Sequence, residues 1–237
     1  MVVNAIPSYL SEISATFPRV SVVGVGDEGT GIVSGVFQNG GSGAQCIVVN
    51  TDKGPLDHAY SHEKVLIPRD VTDDSGDRDD LEARETAIEE SARLMTPLLT
   101  GADIVFVVAK MKEGKAASVA PLVADVARRS GAVTIGMATM PPPFEREDKL
   151  RAYHGLAKMR QSCHTVAITG AGRSIQSARY LQNLSGDSPD MVVLDMVSGL
   201  AETLACPSAV NIDPAAFREL MVHGGIAHVG IAHSSSP

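Results

Sequence analysis

A glycine-rich segment near the start of the chain could bring backbone amides close to a phosphate. It reads G-V-G-D-E-G-T-G from Gly24 to Gly31, between an apolar run and a helical pattern. Amides at a helix start bind phosphate, and glycine leaves room for the ligand. Gly24, Gly26 and Gly29 also fit the G-x-G-x-x-G pattern of dinucleotide-binding proteins, with Asp52 at the position of the ribose acid. An NAD-binding enzyme is therefore one hypothesis. A glycine turn that only lets a helix pack closely on a strand is the other.

The histidines and cysteines are less informative. His58 and His62 lie four positions apart, but a zinc site needs a third ligand in an ordered set, so we expect surface histidines and no metal site. Cys46, Cys163 and Cys206 are widely spaced and have apolar neighbours. That pattern is typical of reduced, buried thiols rather than of a disulfide framework.

Apolar, β-branched runs alternate with helical patterns along most of the chain, and the runs are apolar on both faces. Strands are predicted at Arg19–Val25, Cys46–Asn50, Lys64–Ile67, Asp103–Ala109, Val133–Thr139, Thr165–Thr169 and near Ile226–Ile231. Helices are predicted at Gly29–Gln38, Leu81–Leu99, Lys115–Ser130, Arg146–Gln161, Pro189–Ala205 and Pro214–Val222. This order predicts an α/β fold: a doubly wound, mostly parallel sheet with helices on both faces and its ligand edge at the carboxyl ends of the strands.

The composition excludes several classes of partner. The chain has 237 residues and a formal net charge of −8, which would repel a nucleic-acid backbone or an anionic membrane surface. No apolar run is long enough to cross a bilayer, and the first residues lack the basic and apolar regions of a signal peptide. We therefore expect a cytoplasmic protein that does not insert into membranes.

The order of several motifs resembles the FtsZ/tubulin family. The chain reads VVGVG, then NTD, a helix with EES, GADIVFVVAKM, GAVTIGMAT, F-E-R, and finally A-V-N-I-D followed by GGIAHVGIA. The resemblance extends from about Val20 to Ile231. It implies the family's nucleotide-binding domain, with GTP or GDP as the cofactor and Mg²⁺ as the metal that would accompany it.

The resemblance also implies a set of nucleotide-binding positions. The family's phosphate loop, GGGTGTG, aligns with Lys112–Ser118, where Gly114 is the one glycine that is kept. Glu145 matches a ribose-side acid, and Asp190 lies within one position of the acid that binds the base. The positions implied are Gly26, Gly29, Thr30, Asn50, Asp52, Lys112, Gly114, Lys115, Glu145 and Asp190.

The same alignment shows where the chain departs from the family. Asp27 and Glu28 stand where the family has glycines, and Gly31 replaces an asparagine that reads guanine. Thr169-Gly170-Ala171 also lacks an Asn-Asp pair. Charged carboxylates in a phosphate loop repel a triphosphate. These departures argue against tight or guanine-selective binding.

Three lysines allow two interpretations of the altered loops. Lys110, Lys112 and Lys115 could hold phosphate as point charges. Alternatively they pair with Asp27, Glu28 and Glu113 and plug an empty pocket, which is the interpretation we favour because acids come from both loops. A Walker A loop is excluded, because Ala116 follows the Gly-Lys pair and Ala109 occupies the first glycine position.

The family's hydrolytic loop, N-x-D-x-x-D, uses two acids to polarise water at the nucleotide of the next subunit in a filament. Here it reads Asn211-Ile212-Asp213-Pro214-Ala215-Ala216, so the first acid is kept and Ala216 replaces the second. A methyl group cannot accept a proton, so we expect slow hydrolysis if there is any. Asp213 is either a remaining catalytic acid or the N-cap of a helix that opens at Pro214.

These observations lead to one main hypothesis and two rivals. The main one is a cytoskeletal FtsZ-like protein, weak or inactive as a GTPase, that acts as a structural or regulatory partner of FtsZ or of another FtsZ-like protein, or as a homo-oligomer. The rivals are a slow GTPase with lysine phosphate contacts and an NAD-binding enzyme. We expect a helical extension over residues 1–18, the nucleotide-binding domain over 19–186, and residues 187–237 packed on it. The sequence ends where the family's second domain would begin.

Overall fold

The computed structural model describes residues 17–40, 43–72, 78–112, 114–141, 146–169, 189–205 and 212–228. Seven strands of these residues form one sheet in the order β3-β2-β1-β4-β5-β6-β7, and every neighbouring pair is parallel. The strands are β1 (Val20–Val25), β2 (Gln45–Asn50), β3 (Glu63–Leu66), β4 (Ile104–Lys110), β5 (Val133–Thr139), β6 (Thr165–Thr169) and β7 (Gly225–His228). The predicted α/β fold is confirmed, and the short strand β3 lies at one edge of the sheet.

Helices connect these strands. They are α1 (Gly26–Gln38), α2 (Lys53–His58), α3 (Arg78–Leu99), α4 (Gly114–Arg129), α5 (Arg146–Ser162), α6 (Pro189–Ala205) and α7 (Pro214–Val222), with a 3-10 turn at Arg69–Thr72. The sequence did not predict α2. Its segment K-G-P-L-D-H has only 6 residues, which are too few to show a helical period. The other helices fall within three residues of their predicted starts.

Both faces of the sheet are buried, as parallel strands require. On β4, Val105 and Val107 belong to the core cluster that includes α3, α4 and α5, whereas Phe106 and Val108 belong to the cluster that includes α1, α6 and α7. Side chains that alternate along a strand thus enter two different layers. The result is a three-layer α/β domain whose strand ends are free to carry a site.

The junction of β1 and α1 corrects one sequence expectation. The helix begins at Gly26 rather than Gly29, directly after the strand, so Asp27 and Glu28 lie in its first turn instead of in a loop. A Cβ at Gly24 would lie 2.3 Å from the carbonyl oxygen of Gly29, and one at Gly29 would lie 2.6 Å from that of Val108. These glycines are required because the helix runs against the backbone of β1 and β4.

The last described elements complete the sheet on its other side. Strand β7 pairs with β6 from Thr165↔Gly225 to Ile168↔His228. It begins one residue before its predicted start, and residues 229–231 of that prediction lie outside the described part of the chain. On α6, Val193 and Val197 are buried in the same cluster as α1. The domain limits at 18 and 186 also lie beside segments that are not described, so they stay predictions.

Two of the three cysteines are buried free thiols, as the sequence predicted, and Cys206 lies outside the described residues. Burial raises the pKa of Cys46 to about 11 and that of Cys163 to about 12. Both thiols therefore stay protonated and unreactive in the folded protein at neutral pH. None of the helices described here combines the length and the apolar character that crossing a bilayer requires.

Candidate functional site

Two helices begin side by side at the carboxyl edge of the sheet. α1 starts directly after Val25, the last residue of β1, and α4 starts four residues after β4. Val25 is the register partner of Ala109, so the two strand ends are adjacent. The chain runs outward from β1 through β2 to β3 and then returns to β4 on the other side, so the strand order reverses here. Ligands of doubly wound folds bind at this reversal.

The first turn of α1 is acidic and its acids are engaged. Glu28 forms an ion pair with Lys110, at the end of β4. The Oδ1 atom of Asp27 accepts a hydrogen bond of 2.8 Å from the side-chain amide of Asn50, at the end of β2. Acids at this end of a helix interact favourably with its dipole. The α1 amino terminus is thus compensated by the helix's own side chains.

Asp52 connects three segments at this edge. Its carboxylate forms ion pairs with Lys115, in the first turn of α4, and with Arg69, in the 3-10 turn. The hydrogen bond from Lys115, with the positive charges of Lys115 and Arg69, holds the pKa of Asp52 below its ordinary value. The backbone amide of Asp52 also donates to Oδ1 of Asn50 at 3.1 Å. Asp52 therefore lies as a fixed negative charge beside the start of α4.

These ion pairs bear on whether the lysines hold phosphate or pair with acids of the chain. Lys110 pairs with Glu28, as the plug interpretation predicts. Lys115 pairs with Asp52 rather than with the acids of the first loop. Lys112 lies exposed in the turn between β4 and α4, and Glu113 lies outside the described residues. Sequence reasoning missed Arg69, because its partner Asp52 is 17 residues away and no motif links the two.

The predicted phosphate-binding glycines differ in their surroundings. Gly26 has φ +76°, a conformation that favours glycine. Gly29 faces the backbone of β4 rather than open space. A Cβ at Gly114, at the start of α4, would have no atom within 4 Å among the described residues. Thr30 is 3% exposed, so its hydroxyl does not face solvent. Of these residues, Gly114 is the one that presents open backbone.

The remaining predicted positions lie elsewhere or outside the described chain. Glu145 is outside it, and Asp190 lies in the first turn of α6 with its side chain outside it. Asp213 caps α7: its Oδ1 atom accepts the N–H of Ala215 at 3.0 Å, as the N-cap interpretation predicts. α7 lies near the amino edge of the sheet, since Arg218 donates to the carbonyl of Gly131, just before β5, at 3.4 Å. The structure therefore does not bring Asp213 together with Asp52.

His62 and His58 make local contacts within the fold. Nδ1 of His62 accepts a hydrogen bond of 2.9 Å from the backbone amide of Cys46, and its ring packs edge-on against Phe37 with the centroids 4.9 Å apart. Nδ1 of His58 lies 2.9 Å from the carbonyl oxygen of Gly54. Within the described ranges, no three histidine, cysteine or acidic side chains gather as ligands for a metal ion.

A parallel, doubly wound sheet with two helix starts at its strand reversal is an arrangement found in nucleotide-binding α/β domains. A family model described as the GTPase domain of the Tubulin/FtsZ family matches residues 19–170. The chain belongs to the Tubulin/FtsZ family. That membership accounts for the glycine turn after β1 without a dinucleotide.

Two curated relatives show the same relationship. Cell division protein FtsZ 2 of Methanocaldococcus jannaschii is 34% identical over 219 residues, which are 92% of this chain and 58% of that protein. Cell division protein FtsZ 1 of Pyrococcus horikoshii is 33% identical over 220 residues, which are 92% of this chain and 59% of that protein. The chain thus spans about three fifths of the length of these relatives.

Solved structures agree with the fold. A point mutant of FtsZ from M. jannaschii superposes with a TM-score of 0.79 at 26% identity, covering 97% of this chain and 70% of the other. CetZ from Methanosaeta thermophila gives a TM-score of 0.62 at 20% identity, covering 86% of this chain and 60% of the other. The second likeness concerns the fold alone.

The residues at the strand reversal do not fit a nucleoside triphosphate with Mg²⁺. Asp27 and Glu28 occupy the first turn of α1, where a phosphate would otherwise meet backbone amides. Asp52 already pairs with the lysine at the start of α4. Gly29, whose missing side chain could have made room for phosphate oxygens, instead makes room for Val108. A triphosphate would have to displace these ion pairs and lie beside carboxylates.

Proposed function

We propose that this protein is an FtsZ-like assembly partner that binds and hydrolyses GTP weakly or not at all. The observation that carries the proposal is the paired set of charges at the strand reversal, in which Glu28 holds Lys110 and Asp52 holds Lys115 and Arg69. Lys110, Lys115 and Arg69, which could attract a phosphate there, each pair with a carboxylate of the same chain. The proposal places the protein in the cytoplasm, where FtsZ polymers would meet it.

The hydrolytic segment supports the second half of the proposal. Asp213 is kept, but its carboxylate is hydrogen-bonded to the first turn of α7. Ala216, at the position of the family's second acid, is exposed and has no group that could orient water. With one acid of two, and that one engaged as a cap, activation of water on a neighbouring subunit would be poor.

The same segment retains a surface that a partner could contact. Ile212 is 38% exposed, and Asp213 to Ala216 are exposed as well. In the family, the corresponding loop contacts the nucleotide of the next subunit. We therefore place the contact with FtsZ on this segment, at the amino edge of the sheet.

Co-sedimentation with assembled FtsZ tests the contact. Wild-type protein added below the FtsZ concentration is expected to pellet with the polymer or to change its amount. Ile212→Lys is expected to lose this effect, because a charge at the centre of the contact is costly to bury. Leu94→Lys, on α3 and 45% exposed, is the matched control and should behave like wild type. If wild-type protein neither pellets nor changes assembly, the partner role is wrong.

A slow GTPase with lysine phosphate contacts is the second candidate. One observation favours it: Gly114 presents open backbone at the start of a 16-residue helix, next to Lys115. Calorimetric titration with GTP, GDP, ATP and NAD separates the candidates. We expect no GTP binding tighter than the millimolar range, whereas micromolar, guanine-selective binding would replace the first proposal with this one. Micromolar binding of NAD alone would instead restore the dinucleotide hypothesis.

A further inference from the structure

A second concave surface lies between α4 and α5, and it shares Gly114 and Lys115 with the strand reversal described above. It is a cleft of about 330 Å³, a size that small-molecule sites reach. Its polar lining comes from the start of α4, one face of α5 and the end of the 3-10 turn. The polar and charged residues are Thr72, Lys115, Ser118, Arg151, His154 and Lys158.

The charge of this cleft is opposite to that of the chain. The chain has a net charge of −8, yet the described residues that line the cleft include two lysines, an arginine and a histidine and no carboxylate. Arg151, His154 and Lys158 follow one another at spacings of three and four, so they share one face of α5. Like charges placed together repel, and a bound anion removes that repulsion.

The cations on α5 are available to a ligand. Among the described residues, no carboxylate forms an ion pair with Arg151 or Lys158. Arg151 is exposed, and Lys158 is partly buried along the cleft wall. Lys115 is the cation that the cleft shares with the strand reversal, through its pair with Asp52. The two α5 cations therefore distinguish this cleft from that site.

Close helix packing gives the cleft a fixed floor. Gly155 is buried, and a Cβ there would lie 2.6 Å from the Cβ and 3.1 Å from the Cα of Ala117. The backbone of α5 thus comes into near contact with α4, which fixes the separation of the cations on the two helices. A site whose charges are already positioned loses little entropy on binding.

We propose that this cleft binds a small molecule that carries phosphate groups. A guanidinium can contact two phosphate oxygens at once, and the lysine ammonium adds a point charge. The hydroxyl of Ser118 can donate to a further oxygen, whereas that of Thr72 already donates to the carbonyl of Arg69. The cleft is concave and small, which favours a compact anion over an extended acidic peptide. No residue of β1, α1 or β2 lines it, so occupancy does not require the strand-reversal ion pairs with Glu28 to open.

Calorimetry of the whole chain with pyrophosphate as the probe tests this assignment. Wild-type protein should bind one pyrophosphate, and Arg151→Gln and Lys158→Gln should each weaken binding about tenfold, the loss expected for one charge-assisted contact. Lys158→Arg keeps the charge and should keep most of the affinity. Arg160→Gln, an exposed cation on the same helix that does not line the cleft, is the control and should bind like wild type. Thermal unfolding of each variant shows that it is folded.

Three results would overturn the proposal. The first is no pyrophosphate binding by wild-type protein at millimolar concentration. The second is equal affinity in wild type and in Arg151→Gln with Lys158→Gln combined, which would place the anion elsewhere. The third is a polyglutamate peptide that binds through these two residues more tightly than pyrophosphate, which would identify an acidic protein as the ligand. A failed FtsZ co-sedimentation leaves these outcomes unchanged, because they involve a different face.

Discussion

Two helices begin side by side at the carboxyl edge of the sheet, and their first turns carry opposite charges. α1 has Asp27 and Glu28 in its first turn, where negative charge interacts favourably with the helix dipole. α4 opens with Gly114 and Lys115, a cation at the positive end of a dipole, which is unfavourable by itself. The carboxylate of Asp52 compensates that second helix from outside.

The difference shows what each helix would offer an anion. The start of α1 repels a phosphate, because its first turn carries the carboxylates of Asp27 and Glu28. Lys115, at the start of α4, could pair with a phosphate only if its ion pair with Asp52 opened. A site that joins both helix starts is therefore compensated by the chain itself, and this is the physical basis for expecting weak nucleotide binding.

The largest effect is expected from a substitution that disrupts the packing of α1 against β4. Gly29→Ala should lower the free energy of unfolding by about 1 to 3 kcal/mol, because its methyl group would lie against the backbone of β4. Gly31→Ala, on the same helix with no atom within 4 Å of the added Cβ, should raise it by about 0.5 to 1 kcal/mol. Urea denaturation measures both. Equal effects would show that the glycine at position 29 is not needed for packing.

A third helix start extends the comparison, because α7 is capped by Asp213, the acid that the family resemblance implies for hydrolysis. Asp213→Ala should cost about 1 kcal/mol of stability, since it leaves the N–H of Ala215 without its acceptor. Asp213→Asn keeps a capping oxygen and should stay within a few tenths of a kcal/mol of wild type. Thermal denaturation compares the two. If asparagine destabilises as much as alanine, the charge rather than the cap is what matters.

The fold was predictable because it depends on local patterns. β5 and β6 have the predicted bounds, since their apolar runs end at clear breaks. α2 was missed because Lys53–His58 is too short for a period to show. The start of α1 was placed three residues late, because glycines usually disfavour helices. Here they allow the helix to pack closely against β4.

The site was less predictable because its contacts join distant parts of the chain. Asp52 and Lys115 were each identified as candidates, but their pairing spans 63 residues and no motif encodes it. Arg69 was not identified at all. The pairing of Lys110 with Glu28 was anticipated, because acids and lysines of two loops were expected to meet at the strand ends. Charge type is visible in a sequence, whereas partner choice depends on side-chain geometry.

The smallest expected effect tests the compensation of α4 directly. In the folded protein Lys115 and Arg69 lower the pKa of Asp52 from its ordinary value of about 3.9. A lowered folded-state pKa means that folding favours the ionised carboxylate. Its contribution to stability is therefore complete above that ordinary value and is lost as the pH falls through the folded-state pKa. Wild type should exceed Asp52→Asn in stability at pH 6, and the difference should disappear in acid.

NMR titration of the Asp52 carboxyl provides the finer measurement. Lys115→Gln removes the hydrogen bond that contributes most to the lowered pKa, so the midpoint of Asp52 should move up toward its ordinary value. Lys158→Gln removes a cation that does not contact Asp52 and should leave the midpoint in place. An unchanged midpoint in Lys115→Gln would mean that Asp52 does not compensate the start of α4. Lys115 would then be uncompensated at the start of α4, and it could bind a phosphate there.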